Sequence, residues 1–221
     1  PQLPRRSEIT HISITTHGAA VCPMDDNGLV LQPMDYEWNG YGEFHRQCQQ
    51  RACVFEETGS PSLPLCLNAG LQLAWLKHFE PQAWSRVRHL LPYPQYWAWW
   101  FCGQLASEVS SWGCHTHLWS PHEHSHSSWA WSQGFDALSP PLQPAWADLG
   151  MLRPELASRL GLSPDTVVKV GAHDSNACLA RYLHTMPGAT VVSTGTWVVV
   201  MATHGRPVTL DANRDELLNV S

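Results

Sequence analysis

One stretch limits the fold more than any other: Gly171-Ala172-His173-Asp174-Ser175-Asn176-Ala177, directly after the apolar run at 167–170. The β-branched run reads as a buried strand, and 174–184 reads as the helix that follows it. A strand handed to a helix through glycine points to the α/β class, where ligands bind at the carboxyl ends of strands. Asp174 stands at that junction. A carboxylate there can take a proton from a substrate hydroxyl, a role that needs position more than a displaced pKa. It can equally cap the helix through a side-chain oxygen, and the two roles are compatible.

A second signal lies about twenty residues on, where Ser193-Thr194-Gly195-Thr196 joins expected strands at 190–192 and 197–201. Small hydroxyl residues and successive turn amides form a concavity suited to phosphate, although a plain glycine hairpin turn has the same composition. A P-loop is excluded, because neither Lys77 nor Lys169 follows G-x-x-x-x-G. Pro187-Gly188 is the expected domain boundary, dividing 1–187 from 188–221.

Elsewhere the sequence predicts a strand at 11–16, a hairpin around Asp25-Asp26-Asn27-Gly28, and helices at 68–79 and 94–102. Residues 40–64 read as loop with a short helix, and 112–144 as an ordered but irregular connection. The formal net charge is −6 with no basic run, which excludes a nucleic-acid partner. No apolar stretch reaches membrane-spanning length, so no membrane partner is expected. Seven scattered cysteines without a C-x-x-C pair read as free thiols of a reducing cytoplasm.

His122-Glu123-His124-Ser125-His126 satisfies H-E-x-x-H, which on a helix would hold zinc and make a metallohydrolase of His122, Glu123 and His126. Ser120-Pro121 before it and Ser127-Ser128 after it oppose a long helix. The expectation is a surface loop of solvated histidines, with no metal site.

In order along the chain stand Thr16-His17-Gly18-Ala19, Asp35-Tyr36-Glu37, Glu57-Thr58-Gly59-Ser60-Pro61, Leu90-Leu91-Pro92-Tyr93-Pro94-Gln95-Tyr96, Glu108-Val109-Ser110, Gly113-Cys114-His115-Thr116, the aspartate segment, and Ser193-Thr194-Gly195-Thr196-Trp197. This ordered set resembles the FGGY carbohydrate kinases, and looks closest to the branch of rhamnulokinase-like and fuculokinase-like enzymes. The resemblance implies the bilobal, actin-like (ribonuclease H-like) ATPase fold, incomplete here. Residues 1–187 would be most of the sugar-binding lobe without its first strands, and 188–221 the start of the nucleotide lobe.

The same resemblance implies ATP and Mg2+ as cofactors and a small sugar or polyol as substrate; the sequence does not fix the oligomer, and a homodimer is an assembly to test. It makes Asp174 the base, His17, Gly18 and His173 sugar-side residues, and Thr194, Gly195 and Thr196 phosphate holders. Tyr96 and Glu108 follow as sugar contacts, although Gln95 stands where many relatives carry Asp. His17 reads equally as a satisfied buried histidine. The expected function is phosphorylation of a sugar or polyol hydroxyl, with the chain inactive alone; a non-catalytic relic that binds sugar or a subunit is the alternative.

Overall fold

The computed structural model describes residues 5–40, 42–52, 55–194, 198–202, 209–214 and 216–220, with side chains of 49–52 set aside. The predicted strand at 11–16 is two short strands, β1 (His11–Ile12) and β2 (Thr15–Thr16). Next comes the predicted hairpin, β3 (Val21–Asp25) and β4 (Gly28–Leu29), whose turn is held by Asp25 Oδ1 accepting the amides of Asn27 and Gly28 at 2.8 and 3.1 Å.

Residues 40–64 hold more helix than predicted: α1 (Gly42–Ala52) and α2 (Phe55–Thr58). The polar composition of α1 hides it, and Phe44 ties it to the rings of His78 and Phe79 at 5.1 and 5.4 Å. The predicted helix at 68–79 is α3 (Ala69–Phe79), followed by α4 (Pro81–Trp84) with proline in its first turn. β5 (His89–Pro92) pairs antiparallel with β3 and feeds α5 (Tyr93–Cys102), which stops at Gly103 with φ 81°.

The irregular connection contains α6 (Val109–Trp112), β6 (Trp119–Ser120), β7 (Ser125–His126) and α7 (Ser128–Gln133). It is no surface excursion, since Trp112, Leu118, Trp119, Trp129 and Phe135 are buried with α3 in the largest apolar cluster. β8 (Asp148–Met151) and α8 (Pro154–Leu160) precede β9 (Val167–Lys169), β10 (Ala172–His173) and α9 (Asp174–Thr185). The last pair is β11 (Thr190–Thr194) and β12 (Val198–Ala202).

β1 lies parallel to β9, with β8 antiparallel on the far side, and β2 lies parallel to β10. Parallel neighbours so distant in sequence need a covered crossover, and α5 supplies it. Ala98 of α5 packs with Leu152, Leu156 and Val168 as a second buried cluster. No helix among the described residues is long and apolar enough to cross a membrane.

Candidate active site

The site grows from the parallel pair β2–β10, in which Thr16 faces Ala172's neighbour His173. Two glycines allow the approach. Gly171 has φ +83°, and a Cβ there would lie 2.3 Å from the Ile14 carbonyl oxygen, so only glycine fits. A Cβ on Gly18 would lie 2.6 Å from Cys114 Sγ and 3.1 Å from His173 Nε2, so the bare backbone of Gly18 is what seats His173.

Asp174 is the first residue of α9, with His173 as its extended N-cap. Its Oδ1 accepts the Ser175 amide at 2.6 Å and lies 3.3 Å from His173 Nε2, while Oδ2 has no bond among the described residues. The side chain is 51% exposed, so the carboxylate reaches solvent while Oδ1 steadies the first helical turn. The expected capping role is therefore corrected: Asp174 stands one position inside the N-cap and carries a first-turn acidic group, which leaves the reactive-carboxylate reading open.

His173 sits beneath, its side chain 10% exposed. Nδ1 meets Asn176 Oδ1 at 3.0 Å, Nε2 meets Cys114 Sγ at 3.3 Å, and the backbone amide donates to Ser110 Oγ at 3.2 Å. The Ser110 hydroxyl in turn donates to Glu108 Oε2 at 2.5 Å. Glu108 is buried and also accepts the amides of Ser110 and Ser111, so its carboxylate is committed to the first turn of α6. Burial pushes the Cys114 thiol up, and the charge of Asp174 pushes it further in the same direction.

The other expected residues fall at different distances from this group. His17 is exposed, its Nδ1 bonded to the Gly18 carbonyl at 2.7 Å and its ring flanked by Tyr36 and Tyr93 at 5.2 and 5.3 Å, so it is not a buried histidine. Tyr96 stacks on Tyr93 and lines a cavity of about 430 Å³ with Asn27, Gly28, Trp99 and Arg153, whose walls do not include Asp174. Burial, with Cys22 and Tyr93 nearby, pushes the Tyr96 phenol up. Gln95 is fully buried and donates to the carbonyls of Val170 and Gly171 at 3.3 and 3.0 Å, fastening α5 to the strand that leads to the site. Thr194 ends β11 with its side chain exposed, and Gly195 and Thr196 lie outside the described residues.

Asn176, Ser110 and Cys114 belong to the site although sequence reasoning gave them no role. Cys114 and His173 are 59 positions apart, a separation that no local pattern bridges. The segment 216–220 also reaches the site: Leu218 N donates to Gly59 O at 2.9 Å, and Asn176 Nδ2 donates to Val220 O at 2.5 Å.

The histidine-rich stretch needs correction. Residues 121–124 form a turn and His126 lies on β7, so His122, Glu123 and His126 share no helix face. His126 is wedged between Trp112 and Trp119 with Nδ1 on the Leu118 carbonyl, and His117 is buried with Nε2 on the Pro61 carbonyl. Only His122 and His124 are solvated as expected. Among the described residues no group of three or more His, Cys, Asp or Glu is placed to hold a metal ion.

No curated protein matches the chain. Among solved structures it is similar to a carbohydrate kinase from Novosphingobium aromaticivorans, with 41% identity and a TM-score of 0.87 over 96% of this chain and 46% of that one. It is also similar to a xylulose kinase from Rhodospirillum rubrum at 20% identity, with a TM-score of 0.67 over 83% and 39% of the two chains. Plasmodium falciparum glycerol kinase, solved with ADP, matches at 11% identity with a TM-score of 0.70 over 86% and 39%. The chain thus spans less than half the length of these proteins, and its fold is that of actin-like ATPase sugar kinases. Residues 4–180 match the N-terminal domain of the FGGY family of carbohydrate kinases and residues 186–221 match "Carbohydrate kinase FGGY, C-terminal domain", so the chain belongs to the FGGY carbohydrate kinase family.

Proposed function

We propose that the chain carries the sugar side and the general base of an ATP-dependent kinase acting on a hydroxyl of a small sugar or polyol. The observation that carries this reading is the Asp174 carboxylate, anchored through Oδ1 on the Ser175 amide and half-exposed at the end of a parallel strand pair. Asp174 orients the sugar hydroxyl and takes its proton as the phosphoryl group arrives. Gly18 and His17 border the same edge and offer backbone and imidazole groups to the sugar, with His173 supporting Asp174 from below.

Phosphoryl transfer leaves the protein mainly the work of positioning and charge stabilisation. The hydroxyl-rich segment Ser193-Thr194-Gly195-Thr196 has the chemistry to hold the nucleotide phosphates, and the small Gly195 permits close approach. Mg2+ takes most of its ligands from water and phosphate, and when bound it offsets charge on the transferred group. Glu108 is reassigned from sugar contact to support, because its carboxylate is already spent on α6 and Ser110.

The test is Asp174→Asn in the complete enzyme, assayed against a panel of ketoses, aldoses and polyols. kcat falls by at least about 10²-fold, the scale of a lost general base, while sugar affinity and melting temperature hold. Near-normal turnover would leave Asp174 with its bond to the first turn of α9 and no part in the chemistry.

A further inference from the structure

We infer that Asn176 is a positioning residue that keeps Asp174 unshared, by holding His173 in its Nδ1–H tautomer, and that a backbone carbonyl of the C-terminal region sets Asn176. The inference rests on the reading of Asp174 as the base. It starts at Val220, whose carbonyl oxygen lies 2.5 Å from Asn176 Nδ2. A carbonyl can only accept, so the amide nitrogen of Asn176 must face it and the amide oxygen must face the other way. That oxygen lies 3.0 Å from His173 Nδ1 and carries no proton, so Nδ1 must donate. In the neutral ring Nε2 is then a bare lone pair. Its partner at 3.3 Å is Cys114 Sγ, a thiol that burial keeps protonated and able to donate its S–H.

The tautomer matters because Asp174 Oδ1 lies 3.3 Å from the same Nε2. A proton on Nε2 would make a charge-assisted bond to the carboxylate, among the stronger hydrogen bonds a protein offers, and would lower its basicity. With the proton on Nδ1 that bond is absent, and Asp174 keeps its electron density for the sugar hydroxyl. Asn176 and His173 lie in the region matching the family's N-terminal domain, and Val220 in the region matching its C-terminal domain. Leu218 N on Gly59 O is a second bond across that division, and Val220 also fills the space over Gly113, where a Cβ would meet it at 2.0 Å. Docking of 216–220 therefore fixes the Asn176 amide. Withdrawal frees the amide to rotate, the Nε2–H ring becomes accessible, and Asp174 is tied up until the two regions meet again.

The ring nitrogens of His173 report this directly. In the 221-residue chain labelled with 15N-histidine, long-range nitrogen–proton correlation at neutral pH shows a protonated Nδ1 and a bare Nε2 for His173, assigned by loss of the signal in His173→Gln. Asn176→Ala moves the proton to Nε2, whereas Asn176→Asp, a carboxylate facing Nδ1, keeps a proton on Nδ1 and favours a second on Nε2. In the complete enzyme Asn176→Ala lowers kcat about tenfold, part of the roughly 10²-fold that a general base supplies, with sugar KM unchanged, and Asn176→Asp lowers it as well because an Nε2–H again meets Asp174. An Nε2–H ring in the unaltered chain, or a ring that ignores Asn176→Ala, overturns the inference. Because the nitrogen readout needs no turnover, such a result would overturn this inference alone, and normal turnover of Asp174→Asn would overturn the base reading alone.

Discussion

The ground beneath Asp174 and the β11–β12 hairpin are built on opposite terms. Around His173 the polar groups are buried and held by several segments at once: Ser110 and Cys114 from one side, Asn176 from the helix that begins beside it, and Gly18 from just beyond the facing strand. The hairpin is bound to itself by five paired positions, and one of its faces carries Thr190, Val192, Thr194, Val198, Val200 and Ala202, all exposed. Low local dielectric makes the first region sensitive to a single group out of place, whereas water forgives substitution on the open face of the second. Rigidity at this site thus comes from satisfied polar contacts between remote segments, and regular secondary structure alone does not supply it.

Acid should separate the two regions most widely. Burial holds His115 and His117 down to about 4, each against a bond to a backbone carbonyl that pulls the other way, and nearby His173 adds to the depression of His115. Both rings fold neutral, so their contribution is complete above the unfolded value of about 6.5 and is lost as pH falls from there towards about 4, where the folded chain also protonates. The loss is of order 3 kcal/mol for each at the bottom of that window. Thermal melts from pH 7 to pH 4 should show a steep fall, with exchange of hairpin amides changing only as global unfolding does. A melting temperature that stays level across this window would mean the two histidines are hydrated in solution.

Gly18→Ala is the next sharpest probe. The added methyl meets Cys114 Sγ and His173 Nε2 inside a close-packed wall, and overpacking of this kind costs about 1–3 kcal/mol. The melting temperature drops, and in the complete enzyme sugar-dependent turnover drops with it because His173 is pushed towards Asp174. Wild-type stability in this variant would show that the 17–18 segment yields freely, and the contrast with the hairpin would lose its basis.

Where local chemistry decides structure, the sequence was a good guide. The strand, Gly171 and Asp174 make a junction by composition alone, and the apolar spacing of α3 and the Pro94 and Gly103 bracket of α5 are equally local. α1 escaped because it is polar and depends on Phe44 meeting α3; β8 escaped because Asp148-Leu149-Gly150-Met151 has no alternation and becomes a strand through a pairing with β9 that shifts register. His117 is buried inside a stretch whose composition reads as surface. Its left-handed φ of 66° and its bond to Pro61, 56 positions away, bury a ring that composition assigns to the surface. At the site, Asp174 and Gly18 could be found by motif, but the roles of Asn176 and Glu108 depend on which atoms face them.

The smallest expected effect tests the hairpin itself. Val192, Val198 and Val200 are 55%, 68% and 63% exposed, while their strand neighbour Met201 is 6% exposed on the opposite face. Val200→Thr keeps shape and β-branching and places a hydroxyl where water already is, so it should change stability by no more than about 0.5 kcal/mol. Met201→Ala, one residue along, removes buried side chain and should cost about 2–5 kcal/mol. The pair of variants controls for strand propensity, since both sit in β12 and differ chiefly in which face they occupy. In denaturant titrations of the chain, a Val200→Thr loss as large as that of Met201→Ala would mean the valine face is covered in solution. Self-association that weakens in Val200→Thr would identify a second copy as the cover, and equal sedimentation of the two proteins would leave the face open to water.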